Sequence, residues 1–374
     1  MVIDTEFPGG NLIVEKIEGN TAYVKQDIRD TEGHWFYWSF RVTGAEGRTV
    51  RFEFTNGRVV GVHGPAVSAD EGRTWRWLGA EWARSASFSY RFGPDESRVR
   101  FAVGIPYQAS DLAAYLQSHA GNAALRKETF CHTRKGREVE MLRAGRLDGK
   151  AAARIFFTVR HHCCESTPNF MLEGILNSVL ADDALGAWFR ERVEFCAVPL
   201  LDKDGVEEGD QGKNRKPYDH NRDYDGEPIY PEVRAVKETL RRWSAEKALL
   251  TFDLHGPYLF GRGHECFYFV LPKDARHAAE IRGFAARLER ETAGGPVPYS
   301  CEDDLPWGKD WNTSDGPPRS CSAWARTLPG VKLAVSTEFP YADARGTAIT
   351  AETTRDFGRR FAKALKRQLE EEVL

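Results

Sequence analysis

The pattern of hydrophobic and polar positions divides the chain into two parts. From residue 11 to about residue 103, short runs rich in β-branched and aromatic residues recur at intervals of roughly 8 to 12 residues. This spacing is typical of a β-sandwich. One run, residues 34–42 (HWFYWSFRV), has aromatic residues at both odd and even positions. It predicts a central strand covered on both faces, and a carbohydrate-binding surface is the functional alternative.

After Pro106 the pattern changes to alternating strands and helices. Mostly continuous apolar runs predict strands at residues 154–159, 193–200, 248–254, 266–271 and 331–339. Apolar residues at helical spacing predict helices at residues 110–116, 167–180, 231–246, 275–291 and 351–369. Continuous apolar strands that alternate with helices indicate a sheet buried on both faces. We therefore expect an α/β fold class, with an N-terminal antiparallel β-sandwich domain (residues 1–107) followed by a mixed-sheet α/β domain (residues 108–374).

Composition and charge narrow the class of protein. A chain of 374 residues is longer than one ordinary domain, and 41% hydrophobic with 29% charged residues is typical of a folded chain. The net charge of -3 gives no strong reason to expect nucleic acid or an anionic membrane as partner. Residues 1–11 lack the basic start and apolar core of a signal peptide, and the seven scattered cysteines fit reduced thiols. These features predict a soluble cytoplasmic protein of undetermined oligomeric state.

Candidate metal ligands follow two of the predicted strands. His162 and Glu165 come directly after one strand, and His255 ends another. Ligands bind at the carboxyl ends of strands in open α/β sheets, and a catalytic zinc site uses three nitrogen or oxygen ligands with one position left open. The local pattern leaves His161 as a rival to His162. A structural zinc site through Cys163 and Cys164 is less favoured, because adjacent cysteines reach one ion with difficulty.

These residues lie within a longer ordered set of motifs. In chain order they are His162-x-x-Glu165, Asp202-Lys203-Asp204-Gly205-Val206, Asn214-Arg215-Lys216, Asp219-His220-Asn221-Arg222, Asp253-Leu254-His255 and Ser336-Thr337-Glu338. The set resembles the carboxypeptidase A-like zinc metallopeptidases, and within them the cytosolic carboxypeptidase branch with an N-terminal β-sandwich. The likeness spans most of the chain. It departs where that branch has Pro-Gly between the metal-binding His and Glu, because this chain has two cysteines there.

The resemblance implies a role for each matched residue. One Zn²⁺ per chain would be bound by His162, Glu165 and His255. Glu338 would be the catalytic acid and base, and Arg215 would stabilise the oxyanion. The substrate would be the C-terminus of a peptide or protein, bound through the three residues Asn221, Arg222 and Arg326. The resemblance thus implies a zinc metallocarboxypeptidase, and the arginine at position 326 could favour an acidic terminal residue.

Two other functions remain open from the sequence. The same fold and metal could serve a zinc deacylase or amidase that cleaves a small N-acyl amino acid, since a fold does not determine its substrate. The second alternative is a non-catalytic binding module on the same scaffold. The presence of both Glu338 and Arg215 argues against that module.

Overall fold

The computed structural model describes residues 1–261, 263–313 and 315–374. Residues 2–102 of the chain contain ten strands, which form two sheets of five. The strands are β1 (Val2–Asp4), β2 (Ile13–Glu18), β3 (Thr21–Lys25), β4 (Ser39–Thr43), β5 (Thr49–Phe54), β6 (Ala66–Ser68), β7 (Arg76–Trp77), β8 (Ala83–Arg84), β9 (Ser87–Arg91) and β10 (Arg98–Ala102).

These strands pack as a sandwich. One sheet has the order β1-β4-β10-β6-β7 and the other β2-β3-β5-β9-β8. All pairings are antiparallel except β3 with β5, which is parallel. The rings of Phe40, Phe52, Phe88 and Phe101 stack between the sheets with centroids 4.8–6.4 Å apart. The predicted N-terminal sandwich is confirmed.

Two predicted strands of this region are irregular instead. In the aromatic run, only Ser39–Thr43 is a strand, and residues 34–38 have no regular structure although Phe36 and Trp38 are fully buried. A second β-like run, residues 58–64 (RVVGVHG), is also not a strand. Its Val59 carbonyl accepts a hydrogen bond from the Trp38 indole at 2.7 Å, and its Val60 N–H donates to the Ser85 carbonyl at 3.0 Å. Burial of the aromatic residues was predicted correctly, but their backbone partners were not.

The rest of the chain alternates helices and strands. The helices are α1 (Ala109–Ser118), α2 (Thr167–Leu180), α3 (Ala184–Arg192), α4 (Lys203–Glu208), α5 (Pro231–Glu246), α6 (Ala275–Thr292), α7 (Cys321–Ala325) and α8 (Ala351–Glu372). The strands are β11 (Leu125–His132), β12 (Glu138–Gly145), β13 (Ala153–Val159), β14 (Val193–Val198), β15 (Ala248–His255), β16 (Tyr268–Val270), β17 (Val331–Glu338), β18 (Asp343–Ala344) and β19 (Thr347–Ala348). Short 3₁₀ helices lie at Ala80–Trp82, His220–Arg222 and Cys301–Asp303.

Seven of these strands form one mixed sheet, in the order β11-β12-β14-β13-β15-β17-β16. The four strands β14, β13, β15 and β17 are parallel, and antiparallel strands flank them on both edges. Every residue of β13 is buried, because helices cover both faces of the sheet. The predicted mixed α/β sheet is confirmed, and it places the ends of β13, β15 and β17 side by side.

The predicted boundary between residues 107 and 108 falls between β10 and α1. The helix begins at Ala109 with Gln108 as its N-cap, whose backbone N–H donates to the Asp111 carboxylate at 2.7 Å. Ser110, the first residue of the predicted helix, is already inside the first turn. In the part of the chain that the structure describes, no helix combines the length and apolar character needed to cross a bilayer.

One buried carboxyl near β16 makes stability depend on pH. Asp304 accepts hydrogen bonds through Oδ1 from the Phe269 N–H and the Tyr299 hydroxyl, both at 2.9 Å, while Oδ2 has no partner among the described residues. Burial raises the pKa of Asp304 to about 7. The folded chain therefore keeps this proton after the unfolded chain has lost it, and the free energy of unfolding falls as pH rises from about 4 to about 7.

We expect Asp304→Asn to remove this dependence, which amounts to roughly 1.4 kcal/mol per pH unit at most. The asparagine keeps an oxygen acceptor for Phe269 and Tyr299 and carries no charge to bury. Urea unfolding should find the variant more stable than the wild type at pH 8, with the difference shrinking toward pH 5. The same pH dependence in both proteins would show that Asp304 titrates normally.

Candidate metal centre

Three neighbouring parallel strands bring the predicted site residues to one edge of the sheet. His162 and Glu165 lie in the turn after β13, His255 is the last residue of β15, and Glu338 is the last residue of β17. The register pairs Val159 with Leu254 and His255 with Glu338. Side chains that were far apart in sequence therefore meet at the carboxyl ends of the parallel strands, where α/β sheets bind ligands.

The three predicted metal ligands converge. Nδ1 of His162 lies 2.9 Å from Oε1 of Glu165, and Nδ1 of His255 lies 2.7 Å from Oε2 of the same carboxylate. All three side chains are buried, and one ligand atom of each lies within 4.8 Å of the other two. Two imidazole nitrogens and a carboxylate are a ligand set that zinc accepts. These residues could hold a metal ion.

A second carboxylate lies behind each of these histidines. Nε2 of His162 lies 3.5 Å from Oδ1 of Asp219, and Nε2 of His255 lies 2.7 Å from Oδ2 of Asp253. Such outer carboxylates orient metal-binding imidazoles. Burial opposes the charge of Glu165, but His162, Lys213 and His255 outweigh it and hold the pKa of this carboxyl well below its ordinary value. Glu165 is therefore ionised, as a metal ligand must be.

His161, the rival ligand, faces away from Glu165. Its Nδ1 lies 2.6 Å from Oδ1 of Asp253, and its Nε2 lies 2.7 Å from the Tyr224 hydroxyl. Both ring nitrogens therefore have partners in the structure. The geometry favours His162 over His161 as the ligand and makes His161 a support for Asp253.

The cysteines offer less to a metal. Cys163 packs in the core of the α/β sheet and Cys164 in the core of the sandwich, so the two thiols face opposite sides. A second convergent group consists of His161, Asp253 and Cys321. Burial raises the pKa of the Cys321 thiol well above its ordinary value, whereas a metal-binding cysteine must be deprotonated.

Glu338 lies beside the three convergent ligands as a buried carboxyl. Its Oε2 has no hydrogen-bond partner among the described residues. Burial raises the pKa of Glu338 above its ordinary value, and the nearby Glu165 carboxylate acts in the same direction. Tyr268 pairs with Glu338 across β16 and β17 and is also buried. A buried carboxyl with an unpaired oxygen at this position can accept and return a proton.

The cation nearest to these groups is Lys213, which the sequence reasoning did not single out. Its Nζ lies 2.8 Å from Oε1 of Glu165 and 5.0 Å from the centre of the Trp35 ring. Burial opposes its charge, but Glu165 and Glu338 outweigh that effect and raise the pKa of the ammonium. The local sequence KNRK offers three cations and no pattern that ranks them.

Arg215, the predicted oxyanion residue, is enclosed by carboxylates. Its Nε lies 2.9 Å from Asp30, its Nη1 2.6 Å from Asp202, and its Nη2 3.0 Å from Asp210. All three guanidinium nitrogens therefore have protein partners. The structure brings Lys213, and not Arg215, against the convergent ligands.

The predicted substrate-binding pair lies next to His255. Nδ2 of Asn221 is 2.9 Å from Nε2 of His255, and the Asn221 oxygen accepts from the backbone N–H of Cys321 at 2.9 Å. Arg222 is exposed and donates to the Asn221 carbonyl at 2.9 Å. Among the described residues, no carboxylate oxygen lies within 4.0 Å of the Arg222 guanidinium, so its charge is open to a ligand.

Arg326 follows α7 and lies against β17. Its Nη1 donates to the Ala334 carbonyl at 3.2 Å, and no carboxylate of the described residues lies within 4.0 Å of the guanidinium. Burial lowers the pKa of Arg326 to about 10, so it stays charged at neutral pH. One helical turn earlier, the Ser322 hydroxyl is 2.8 Å from that of Ser336, two residues before Glu338. A partly buried guanidinium that pairs with no carboxylate of the described residues thus lies along the strand that ends at Glu338.

Comparisons with known proteins agree with this arrangement. No family model matches the chain. An uncharacterised protein of Zymomonas mobilis is 24% identical over 319 residues, which cover 81% of this chain and 80% of that protein. Cytosolic carboxypeptidase 2 of Xenopus tropicalis is 24% identical over 346 residues, which cover 78% of this chain and 36% of that protein. The chain thus spans about a third of that longer relative.

A solved structure matches over the whole length. A metallo-carboxypeptidase of Pseudomonas aeruginosa, in complex with (2-guanidinoethylmercapto)succinic acid, superposes with a TM-score of 0.80 at 20% identity, covering 100% of both chains. The shared fold therefore includes the sandwich as well as the mixed sheet. The chain is therefore similar in sequence to a cytosolic carboxypeptidase and shares the fold of a solved metallo-carboxypeptidase.

Proposed function

We propose that this protein is a zinc-dependent carboxypeptidase that hydrolyses the C-terminal peptide bond of a peptide or protein. The observation that carries the proposal is the convergence of His162, Glu165 and His255 beside Glu338 at the carboxyl edge of the sheet. A metal site with an adjacent buried carboxyl is the arrangement that water-mediated amide hydrolysis requires.

Zinc fits the residues that converge. Both histidines direct Nδ1 toward Glu165. Nε2 of His255 lies within hydrogen-bond distance of Asp253, a contact that orients its ring, and Nε2 of His162 lies 3.5 Å from Asp219. Three ligands leave a position open for water or substrate. When bound, zinc would polarise the substrate carbonyl and lower the pKa of water from about 15.7 toward roughly 7.

Glu338 is the proposed proton carrier. It would take the proton of the attacking water and return it to the leaving amine, since it pairs with His255 across the sheet and its Oε2 has no partner among the described residues. Its raised pKa suits this double task, because a group that both accepts and donates a proton works best when its pKa lies near the working pH.

We assign the stabilisation of the developing oxyanion to Lys213. Its ammonium is the cation that lies against the ligand set, whereas all three nitrogens of Arg215 are engaged by aspartates. A fixed positive charge that faces the place where negative charge develops lowers the barrier, and removing one such donor costs about 10²- to 10³-fold in rate. Arg215 then acts by holding its loop together.

Asn221 and Arg222 support the exopeptidase assignment. Arg222 presents a guanidinium that pairs with no carboxylate of the described residues, and a guanidinium binds both oxygens of a carboxylate at once. The contact of the adjacent Asn221 with His255 supports a position near the metal ligands. We propose that the two residues bind the terminal carboxylate of the substrate.

Arg326 is proposed to bind an acidic terminal side chain. We expect Arg326→Leu to lower kcat/KM for a terminal Glu, relative to a terminal Leu, by about 10- to 100-fold, because a charge-assisted hydrogen bond contributes about 1.5 to 3 kcal/mol. Competition between the two peptides in one assay measures this ratio. Arg319→Leu, which alters an exposed arginine, is the control. An unchanged ratio in the Arg326 variant would remove this residue from the specificity pocket.

One experiment separates the candidate functions. Bound zinc is measured by elemental analysis, and release of amino acids is assayed on peptides with varied C-termini and on N-acyl amino acids. We expect about one zinc per chain and release of the terminal residue from peptides. Turnover of N-acyl amino acids alone would identify a deacylase, and zinc without turnover would identify a binding module.

A further inference from the structure

The loop that carries Lys213 is bound to the N-terminal sandwich. We call residues 209–215 the site loop and residues 27–37 the anchor segment. The Asp30 carboxylate of the anchor segment accepts three hydrogen bonds from the site loop, each of 2.9 Å. The donors are the backbone N–H groups of Gln211 and Gly212 and Nε of Arg215.

The Gln211 side chain adds three more hydrogen bonds between the site loop and the anchor segment. Its oxygen accepts from the Tyr37 N–H at 2.8 Å, and its Nε2 donates to the carbonyls of Asp27 and Tyr37 at 3.0 and 2.9 Å. Gln211 is fully buried, and so are its two bonds with Tyr37. They explain why residues 34–38 are not a strand, since Tyr37 pairs with the site loop and not with a neighbouring strand.

Lys213 itself is enclosed by the anchor segment. The Thr31 hydroxyl donates to the Lys213 carbonyl, and the Glu32 N–H donates to the next carbonyl, that of Asn214, at 3.2 Å. The Trp35 ring lies 5.0 Å from the Lys213 ammonium. Both the backbone and the charged end of Lys213 therefore contact the N-terminal part of the chain.

The site loop has no regular secondary structure that could set these positions locally. Holding one backbone residue in a single conformation costs about 1–2 kcal/mol, so an irregular loop needs outside partners to present a side chain in one place. Nearly all the polar contacts described for residues 211–214 come from the anchor segment or from Asp219. The contacts with the anchor segment join parts of the chain roughly 180 residues apart in sequence.

We propose that the N-terminal sandwich positions the catalytic cation, and that Asp30 is the positioning residue through which it does so. This inference rests on the proposed role of Lys213. Asp30 touches neither the ligands nor the substrate site. It acts by fixing Gln211, Gly212 and Arg215, which places Lys213 against Glu165.

A double-mutant cycle on the full-length zinc-loaded protein tests the inference. Lys213→Met is expected to lower kcat by about 10²- to 10³-fold, and Asp30→Asn by about 10-fold or more with little change in KM. Because Asp30 acts through Lys213, the double variant should be no slower than Lys213→Met alone. Asp30→Glu keeps the charge but lengthens the side chain, and it should also lower kcat. Asp27→Asn, in the same segment, is the control.

Losses that multiply in the double variant, or wild-type kcat in Asp30→Asn, would overturn the inference. Amide hydrogen exchange gives a readout that does not depend on activity. Asp30→Asn should speed exchange at Gln211 and Gly212, whereas Asp27→Asn should not, and bound zinc should stay unchanged in both. A wild type without turnover would overturn the proposed function, and exchange alone would then decide whether Asp30 holds the loop. Unchanged exchange would show that it does not.

Discussion

Glu338→Gln is expected to lower kcat by about 10²- to 10⁴-fold while leaving about one zinc bound per chain. Glutamine has the same shape but cannot take a proton from water or return one to the leaving amine. Glu338 is not among the convergent ligands, so the metal should remain. The loss should appear in kcat and kcat/KM alike, because the proton is transferred only in the reaction itself.

Hydrolysis of a peptide is measured to obtain kcat and kcat/KM. Elemental analysis of the same sample gives the amount of zinc bound per chain. Glu302→Gln is the matched control, since Glu302 is an exposed glutamate. Its kcat should equal that of the wild type. Wild-type activity in Glu338→Gln would show that another group carries the proton, and loss of zinc would show that Glu338 belongs to the metal site.

His162→Gln is expected to abolish zinc binding and, with it, hydrolysis, whereas His161→Gln should keep the metal. The two residues are adjacent, but only His162 directs Nδ1 at Glu165, and both nitrogens of His161 already contact Asp253 and Tyr224. Loss of one of three ligands removes most of the binding energy. Loss of an outer partner such as His161 weakens binding by about 10- to 100-fold.

Zinc affinity is measured for both variants by competition with a chromophoric chelator. Each variant loses one imidazole from the same turn, so each serves as the control for the other. The thermal unfolding midpoint with and without zinc adds a second readout, because only a chain that binds the metal is stabilised by it. Zinc retained in His162→Gln and lost from His161→Gln would show that His161 is the metal ligand and His162 is not.

Much of the fold follows from periodicity alone. The mostly apolar run ARIFFTV is strand β13, and the helices predicted at residues 167–180 and 231–246 have the bounds of α2 and α5. Strands β11 and β12 were missed, because their residues alternate polar and apolar near the sheet edge and contain many charges. An edge strand buries less surface, so its pattern is weaker.

The site residues also differ in how far the sequence predicts them, depending on whether they lie on a regular strand or in a loop. His255 and Glu338 end regular strands, where the alternation of side chains and the position in the sheet restrict where a side chain can point. Lys213 and Arg215 lie in an irregular loop without such a period. Their directions depend on Asp30, about 180 residues earlier in the chain, and no local pattern contains that contact.

Periodicity and composition were enough to predict the α/β fold class, the N-terminal sandwich and the types of residue that end the central strands. The difference within each neighbouring pair came from the folded chain, in which His162 and Lys213 contact Glu165, whereas His161 contacts Asp253 and Arg215 contacts Asp30. The two kinds of position differ in how far along the chain their determining contacts lie. Burial imposes a local period on strands and helices, whereas side-chain direction in a turn or loop is set by hydrogen bonds to distant parts of the chain.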